Sequence, residues 1–145
     1  MKRLFNFCCL MVCLFLFTGC SSKTLKCTRE TSYNDEMNMS QQLNIVFKND
    51  RISKLSMNMD VELLGTYMDS RDSLIDGAES EFNKYGDVSG IDYTTKINDS
   101  GFNFKVKLNF NKLSEDIKKD LVIANYENSY NSQKKELEST GYSCN

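Results

Sequence analysis

The chain contains no histidine, no proline and no tryptophan. Without histidine it lacks the usual general base and the commonest metal ligand, so Ser-His-Asp and Cys-His mechanisms are excluded within it. The missing Pro and Trp, beside abundant Asn and Lys, are what a very AT-rich genome encodes. No C-x-x-C pair of the redox or zinc type occurs. Nor is there an excess of positive charge, with 18 basic against 20 acidic residues; this balance argues against nucleic acid as a partner. A long apolar run is also missing. Residues 4–17 are apolar apart from Asn6, yet roughly fourteen residues are too few to cross a ~30 Å hydrocarbon core.

What this segment does match is a cleavable signal core behind the basic start Lys2-Arg3. It closes on Leu16-Phe17-Thr18-Gly19-Cys20, which resembles the bacterial lipobox. Thr18 and Gly19 fit the pattern of small residues before the modified cysteine, and Phe17 stands where Leu is usual. The resemblance implies removal of residues 1–19, a diacylglycerol on Cys20, and a protein held at the extracytoplasmic face of the cell membrane. The alternatives are ordinary secretory cleavage, which Phe17 suits poorly, and an uncleaved anchor. Residues 20–24 then read as anchor and short polar tether, and 25–145 as a single domain.

Of the six cysteines, Cys8, Cys9 and Cys13 fall in the signal core and Cys20 would carry the lipid. Cys27 and Cys144 remain, one near each end of the mature chain. In an oxidising compartment such a pair reads first as a disulfide. It would close a loop of more than 100 residues, worth about 4–5 kcal/mol in the chain-entropy model. Two free buried thiols are the alternative. The mature chain of about 126 residues suffices for one domain with a modest core. Losing Lys2 and Arg3 leaves 16 basic against 20 acidic residues, a net charge near −4; membrane contact is then expected through the anchor alone.

Hydrophobic periodicity predicts an α+β fold: an antiparallel sheet of about five strands packed by one long amphipathic helix and one or two short C-terminal helices. Residues 25–33 read as a first strand carrying Cys27, and apolar residues alternate at Met37, Met39, Leu43, Ile45 and Phe47, and at Leu55, Met57, Met59, Val61 and Leu63. Lys48-Asn49-Asp50-Arg51 makes a hairpin turn between the last two runs. The period then lengthens: Leu64, Tyr67, Met68, Arg71, Leu74, Ile75, Ala78, Phe82 and Tyr85 predict a helix of about 20 residues ending near Gly86. Alternation returns at Ile91, Tyr93, Thr95 and Ile97 and, after a turn at 98–101, at Phe102, Phe104, Val106, Leu108 and Phe110. A short helix follows over 111–122 with Ser114 as N-cap. A last one begins at Ser129 or Ser132 and stops at Gly141, before Cys144 returns to the sheet.

The order of elements resembles that of the YehR-like lipoproteins, a bacterial family of unknown function. The stretches that carry the likeness are Phe47-Lys48-Asn49-Asp50-Arg51-Ile52, residues 85–93, Val106-Lys107-Leu108-Asn109-Phe110-Asn111-Lys112-Leu113, and Ser139-Thr140-Gly141-Tyr142. A Cys27–Cys144 pair also resembles small lipoproteins of low-GC Gram-positive bacteria. The likeness implies location and a helix-packed antiparallel sheet, and brings no functional residue with it.

Candidate chemistry is sparse. Ser132-Gln133-Lys134-Lys135 matches S-x-x-K, but its S-D-N and K-T-G companions are absent. Asp69, Asp72, Asp76 and Glu79 read as the solvated back of the long helix, since a straight helix cannot wrap Ca²⁺. Asp50, Asp87, Asp92 and Asp99 sit in or beside turns, where a glycosidase pair would require two of them to meet. Met37, Met39, Met57, Met59 and Met68 read as core filler before thioether ligands. Tyr126, Tyr130 and Tyr142 read as packing around the last helix. No catalytic, cofactor or metal residue is assigned. The expected function is a non-catalytic envelope module that binds a partner protein, a wall component or a small ligand. The alternative is an envelope hydrolase using carboxylate or Ser-Lys chemistry. A deep apolar pocket would favour the first, a cleft with two displaced carboxylates the second.

Overall fold

A computed structural model describes residues 22–33, 35–121, 125 and 127–145 of the chain. Cys20 and Tyr126 lie outside these. The described residues form an α+β structure around one open, wholly antiparallel sheet. Its strands are β1 (Ser22–Tyr33), β2 (Met37–Lys48), β3 (Arg51–Leu63), β4 (Ile91–Asn98), β5 (Gly101–Asn109) and β6 (Ser143–Cys144), in the order β4-β5-β3-β2-β1-β6. The sixth strand is the two-residue return of Cys144 to β1. No described helix is long and apolar enough to cross a membrane.

Register explains why the alternating residues form one core. Leu25, Ile45, Leu55, Leu108 and Ile91 stand opposite one another in turn across β1, β2, β3, β5 and β4, and all are buried. Fully burying one such side chain is worth about 1.5–3 kcal/mol, so this row alone commits five strands to one face. The opposite face is polar: Lys26, Asn44, Ser56, Lys107 and Asp92 form the neighbouring row on that side. A bulge at the start of β3 repairs a parity break. Val46 pairs with Lys54 and Phe47 with Ile52, leaving Ser53 as the extra residue, and the Ser53 hydroxyl donates to the Val46 carbonyl at 3.0 Å. Ile52 and Leu55 are therefore both buried despite their unlike spacing.

Helix α1 (Arg71–Asn83) covers the β4–β5 side of the inward face, and α3 (Tyr130–Ser139) covers the β1–β6 side; α2 (Glu115–Asp120) is a single short turn. The expected helix of about 20 residues is shorter. Residues Gly65–Ser70 form a 3-10 segment, and the α-helix starts only at Arg71. Gly65 takes φ +55°, Thr66, Asp69 and Ser70 are modest helix formers, and the segment buries no side chain that would hold it helical. Likewise the expected 111–122 helix is a 3-10 turn at Phe110–Lys112 followed by α2, capped as anticipated by Ser114, which accepts from Ile117 N. The α3 N-cap is Ser129, accepting from Ser132 N, and Asp50 in the β2–β3 hairpin accepts from Tyr130 N at 3.1 Å. At the other end of α3, Gly141 N donates to Glu138 O and Tyr142 N to Leu137 O, with Gly141 at φ +91°. This double closure turns the chain back toward β1.

One boundary also moves. Ser22 to Thr24, expected in the tether, already pair with Lys48 to Val46. The sheet therefore begins two residues after Cys20.

Candidate functional site

On the inward face, α1 and α2 leave a cleft between them. Met57 on β3, Phe82 and Tyr85 at the end of α1, and Leu121 after α2 wall a space of about 380 Å³, rimmed by Glu81, Lys84 and Asp120. The walls come from the expected helix stripe and strand alternation. The rim arises because Lys84 and Tyr85 lie just past the helix end, beside α2. Tyr85 donates its hydroxyl to Asp120 Oδ2 at 2.9 Å. Lys84 Nζ lies 3.5 Å from the same carboxylate and 3.7 Å from Glu81, with its ammonium 5.0 Å from the Tyr85 ring centroid.

These contacts move two titrations in one direction. The Tyr85 hydroxyl is the main group that holds the Lys84 ammonium above its ordinary pKa; desolvation opposes it, and the Asp120 carboxylate adds a lesser upward pull. Desolvation, then the bond to Asp120, raises the Tyr85 phenol. A base or nucleophile working near neutrality needs the reverse, a lysine or tyrosine lowered toward pH 7. The rim thus sets a lysine and a phenol beside the carboxylates of Glu81 and Asp120 around an apolar floor.

A second polar cluster ties the C-terminus to the sheet. Gln41 Oε1 accepts from Arg29 Nε (3.0 Å), Arg29 Nη2 (2.6 Å) and the Tyr142 hydroxyl (2.8 Å). Arg29 Nη1 reaches the Thr140 carbonyl at 3.1 Å, and its guanidinium stacks 4.5 Å from the Tyr142 ring centroid. Burial raises the Tyr142 phenol while Arg29 opposes it. The neighbouring register pair is Cys27 and Cys144, which form the disulfide with Cα atoms 4.1 Å apart. This cluster is a clasp rather than a cleft.

The residues weighed from sequence do not converge on a site. Ser132 and Lys135 are exposed on α3, and the Ser132 hydroxyl accepts from Ser129. Asp92 and Asp99 lie at opposite ends of β4, about 23 Å apart at ~3.3 Å per residue, where a glycosidase pair requires under about 10 Å. Asp50 is engaged at the α3 N-terminus, and Asp87 is exposed in the loop before β4. Asp69, Asp72 and Asp76 are exposed as expected, but Glu79 is half-buried and accepts from the Thr95 hydroxyl. The five methionines are half-buried against the core rather than sealed within it, and Met57 floors the cleft. Tyr130 packs edge-on against Phe47. Among the described residues no group of acidic, Cys or His side chains gathers to hold a metal. A larger hollow of about 560 Å³ lies on the polar face, lined mainly by Glu30, Asn38, Asp60 and Glu62 with Met39 and Val61 beside them.

The architecture has solved counterparts. A protein of Streptococcus pneumoniae TIGR4 superposes with a TM-score of 0.57 at 14% identity, over 86% of each chain. The YehR protein of Escherichia coli superposes with a TM-score of 0.56 at 12% identity, over 88% of this chain and 93% of YehR. The chain has a YehR-like fold. At these identities the likeness reaches the fold and no residue's role. No family model matches the sequence, and no curated protein matches it. Lys84, Tyr85, Asp120, Arg29 and Gln41 were absent from the sequence-derived candidates. The one signal for them was Gln41, a polar residue on the inward parity of β2.

Proposed function

We propose that the chain is an exported lipoprotein of the bacterial envelope, anchored through Cys20, whose domain is a non-catalytic binding module. The cleft walled by Met57, Phe82, Tyr85 and Leu121 is its ligand site. The observation that carries this reading is the pairing of an apolar floor with a rim where the Tyr85 hydroxyl and the Lys84 ammonium meet at Asp120. Such a site accepts a small apolar group bearing a polar end. The Cys27–Cys144 bridge supports an oxidising, extracytoplasmic location. The hydrolase alternative draws less support, because Ser132 and Lys135 are exposed and the turn carboxylates are dispersed.

Two measurements test the two halves. Intact mass of the protein extracted from bacterial membranes should start at Cys20, include diacylglycerol, and gain two hydrogens on reduction. An unlipidated mature species or two free thiols refutes the location. For the cleft, methyl NMR of the methionines during titration with indole should move the Met57 signal saturably and leave Met37 and Met39 in place. A uniform shift, or none, removes the cleft as a ligand site.

A further inference from the structure

The net charge near −4 conceals a strong segregation along the strands. At the start of β1 and the β2–β3 hairpin, Lys23, Lys26, Lys48, Arg51 and Lys54 are all exposed. None of the five makes an ion pair among the described residues. Lys23 rests over the Tyr130 ring at 5.6 Å. The hairpin's own acid, Asp50, is turned to the α3 N-terminus. The adjoining hollow also holds Glu115 and Glu127 with Lys118, and Glu115 is 2.6 Å from Lys118. At the far end of the same strands stand Glu30, Asp35, Glu36, Asp60 and Glu62. The two ends of β1 are about 36 Å apart at ~3.3 Å per residue.

The basic end is also where the chain leaves for Cys20. Ser22 pairs with Lys48, which pairs with Arg51; Thr24 pairs with Val46, which pairs with Lys54. Two residues span at most about 7 Å, so a lipid on Cys20 leaves no slack to carry this end away from the headgroups. From this we infer that the end of the sheet formed by the start of β1 and the β2–β3 hairpin docks on anionic phospholipid headgroups, through Lys23, Lys26, Lys48, Arg51 and Lys54. The acidic end then points away from the bilayer, and repulsion from the surface reinforces that pose. The inference rests on the lipid anchor proposed above. Each basic residue held at an anionic surface shifts the docked balance about fivefold, so five suffice to orient a domain already tethered there.

The test is amine labelling of the full lipoprotein added to preformed vesicles, read lysine by lysine by mass spectrometry. In phosphatidylglycerol-rich vesicles, labelling of Lys23, Lys26, Lys48 and Lys54 should fall several-fold relative to phosphatidylcholine vesicles. Lys96, Lys134 and Lys135 should be unchanged. Salt at about 1 M, where the Debye length shrinks to ~3 Å, should erase the difference. In K48E/R51E the protein should still float with both vesicles, while Lys23 and Lys26 lose their protection. Equal labelling on both lipids by a protein that floats with both overturns the docking surface and leaves the anchor standing. Failure to float with either, with no diacylglycerol in the mass, overturns the anchor itself.

Discussion

The two helices on the inward face are held in different ways. On the β4–β5 side, α1 is seated by its own apolar side chains. Ile75 and Phe82 are buried, and the Phe82 ring packs 5.7 Å from Phe104 and 5.8 Å from Tyr93. Polar contacts there are peripheral: Tyr93 to Asn83, and Thr95 to Glu79. On the β1–β6 side, α3 buries Leu137 and Gln133 and lays Tyr130 edge-on against Phe47. What holds it is the clasp at its end, made of the Cys27–Cys144 bond, the Arg29–Gln41–Tyr142 bonds and the Gly141 turn. A helix with a broad apolar stripe docks by desolvation, which is non-directional and tolerant. One with a narrow stripe requires directional or covalent ties at defined atoms. The tolerant side carries the cleft.

The sharpest way to break this contrast is on the α1 side. Phe104→Ala removes a fully buried ring shared by α1 and β4, and should cost about 4 kcal/mol in urea unfolding with the disulfide intact. Next, replacing Cys27 and Cys144 together by Ala should cost about 3 kcal/mol, within the usual range for loss of a native bridge and below the chain-entropy ceiling of about 4–5 kcal/mol for a 117-residue separation. Hydrogen exchange in that variant should open β6 and α3 while α1, β4 and β5 keep their protection; uniform opening would show that the two sides are not independent. Gln41→Ala leaves Arg29 and Tyr142 without their shared acceptor, and about 2 kcal/mol should be lost. The same substitution at Asp50 removes one partner from the α3 N-terminus, for about 1 kcal/mol. The smallest effect is titration of the clasp. Because burial raises the Tyr142 phenol, the fold favours its neutral form. That stability is present below the ordinary tyrosine pKa of about 10 and is lost as pH climbs through the raised value. Stability against pH should therefore decline less above pH ~10 in Tyr142→Phe than in the parent.

The strands were legible because a half-buried strand writes its face as a period of two, and Leu43, Ile45 and Phe47 or Phe104, Val106 and Leu108 do so without interruption. The cap at Ser114 was equally readable, since a hydroxyl ahead of a helix meets its own first turn, while for the last helix the sequence left Ser129 and Ser132 open and the fold takes Ser129. The length of α1 was not. The 3.6-period stripe continues through Tyr67 and Met68, but whether a stripe becomes α-helix depends on what it covers, and here the 3-10 segment covers nothing fully. The cleft was also hidden. Lys84 and Tyr85 follow α1 whereas Asp120 ends α2, and only the approach of α2 to the end of α1 brings them together.

By itself, the sequence determined the inward face and the helix cap at Ser114, because each depends on local spacing, and it favoured the pairing of Cys27 with Cys144 that the fold makes. Tertiary structure alone decided the strand order, the Arg29–Gln41–Tyr142 clasp, the cleft at Tyr85 and the separation of charge between the two ends of the sheet. Those properties depend on which distant residues become neighbours, and a periodicity carries no record of its neighbours across the sheet.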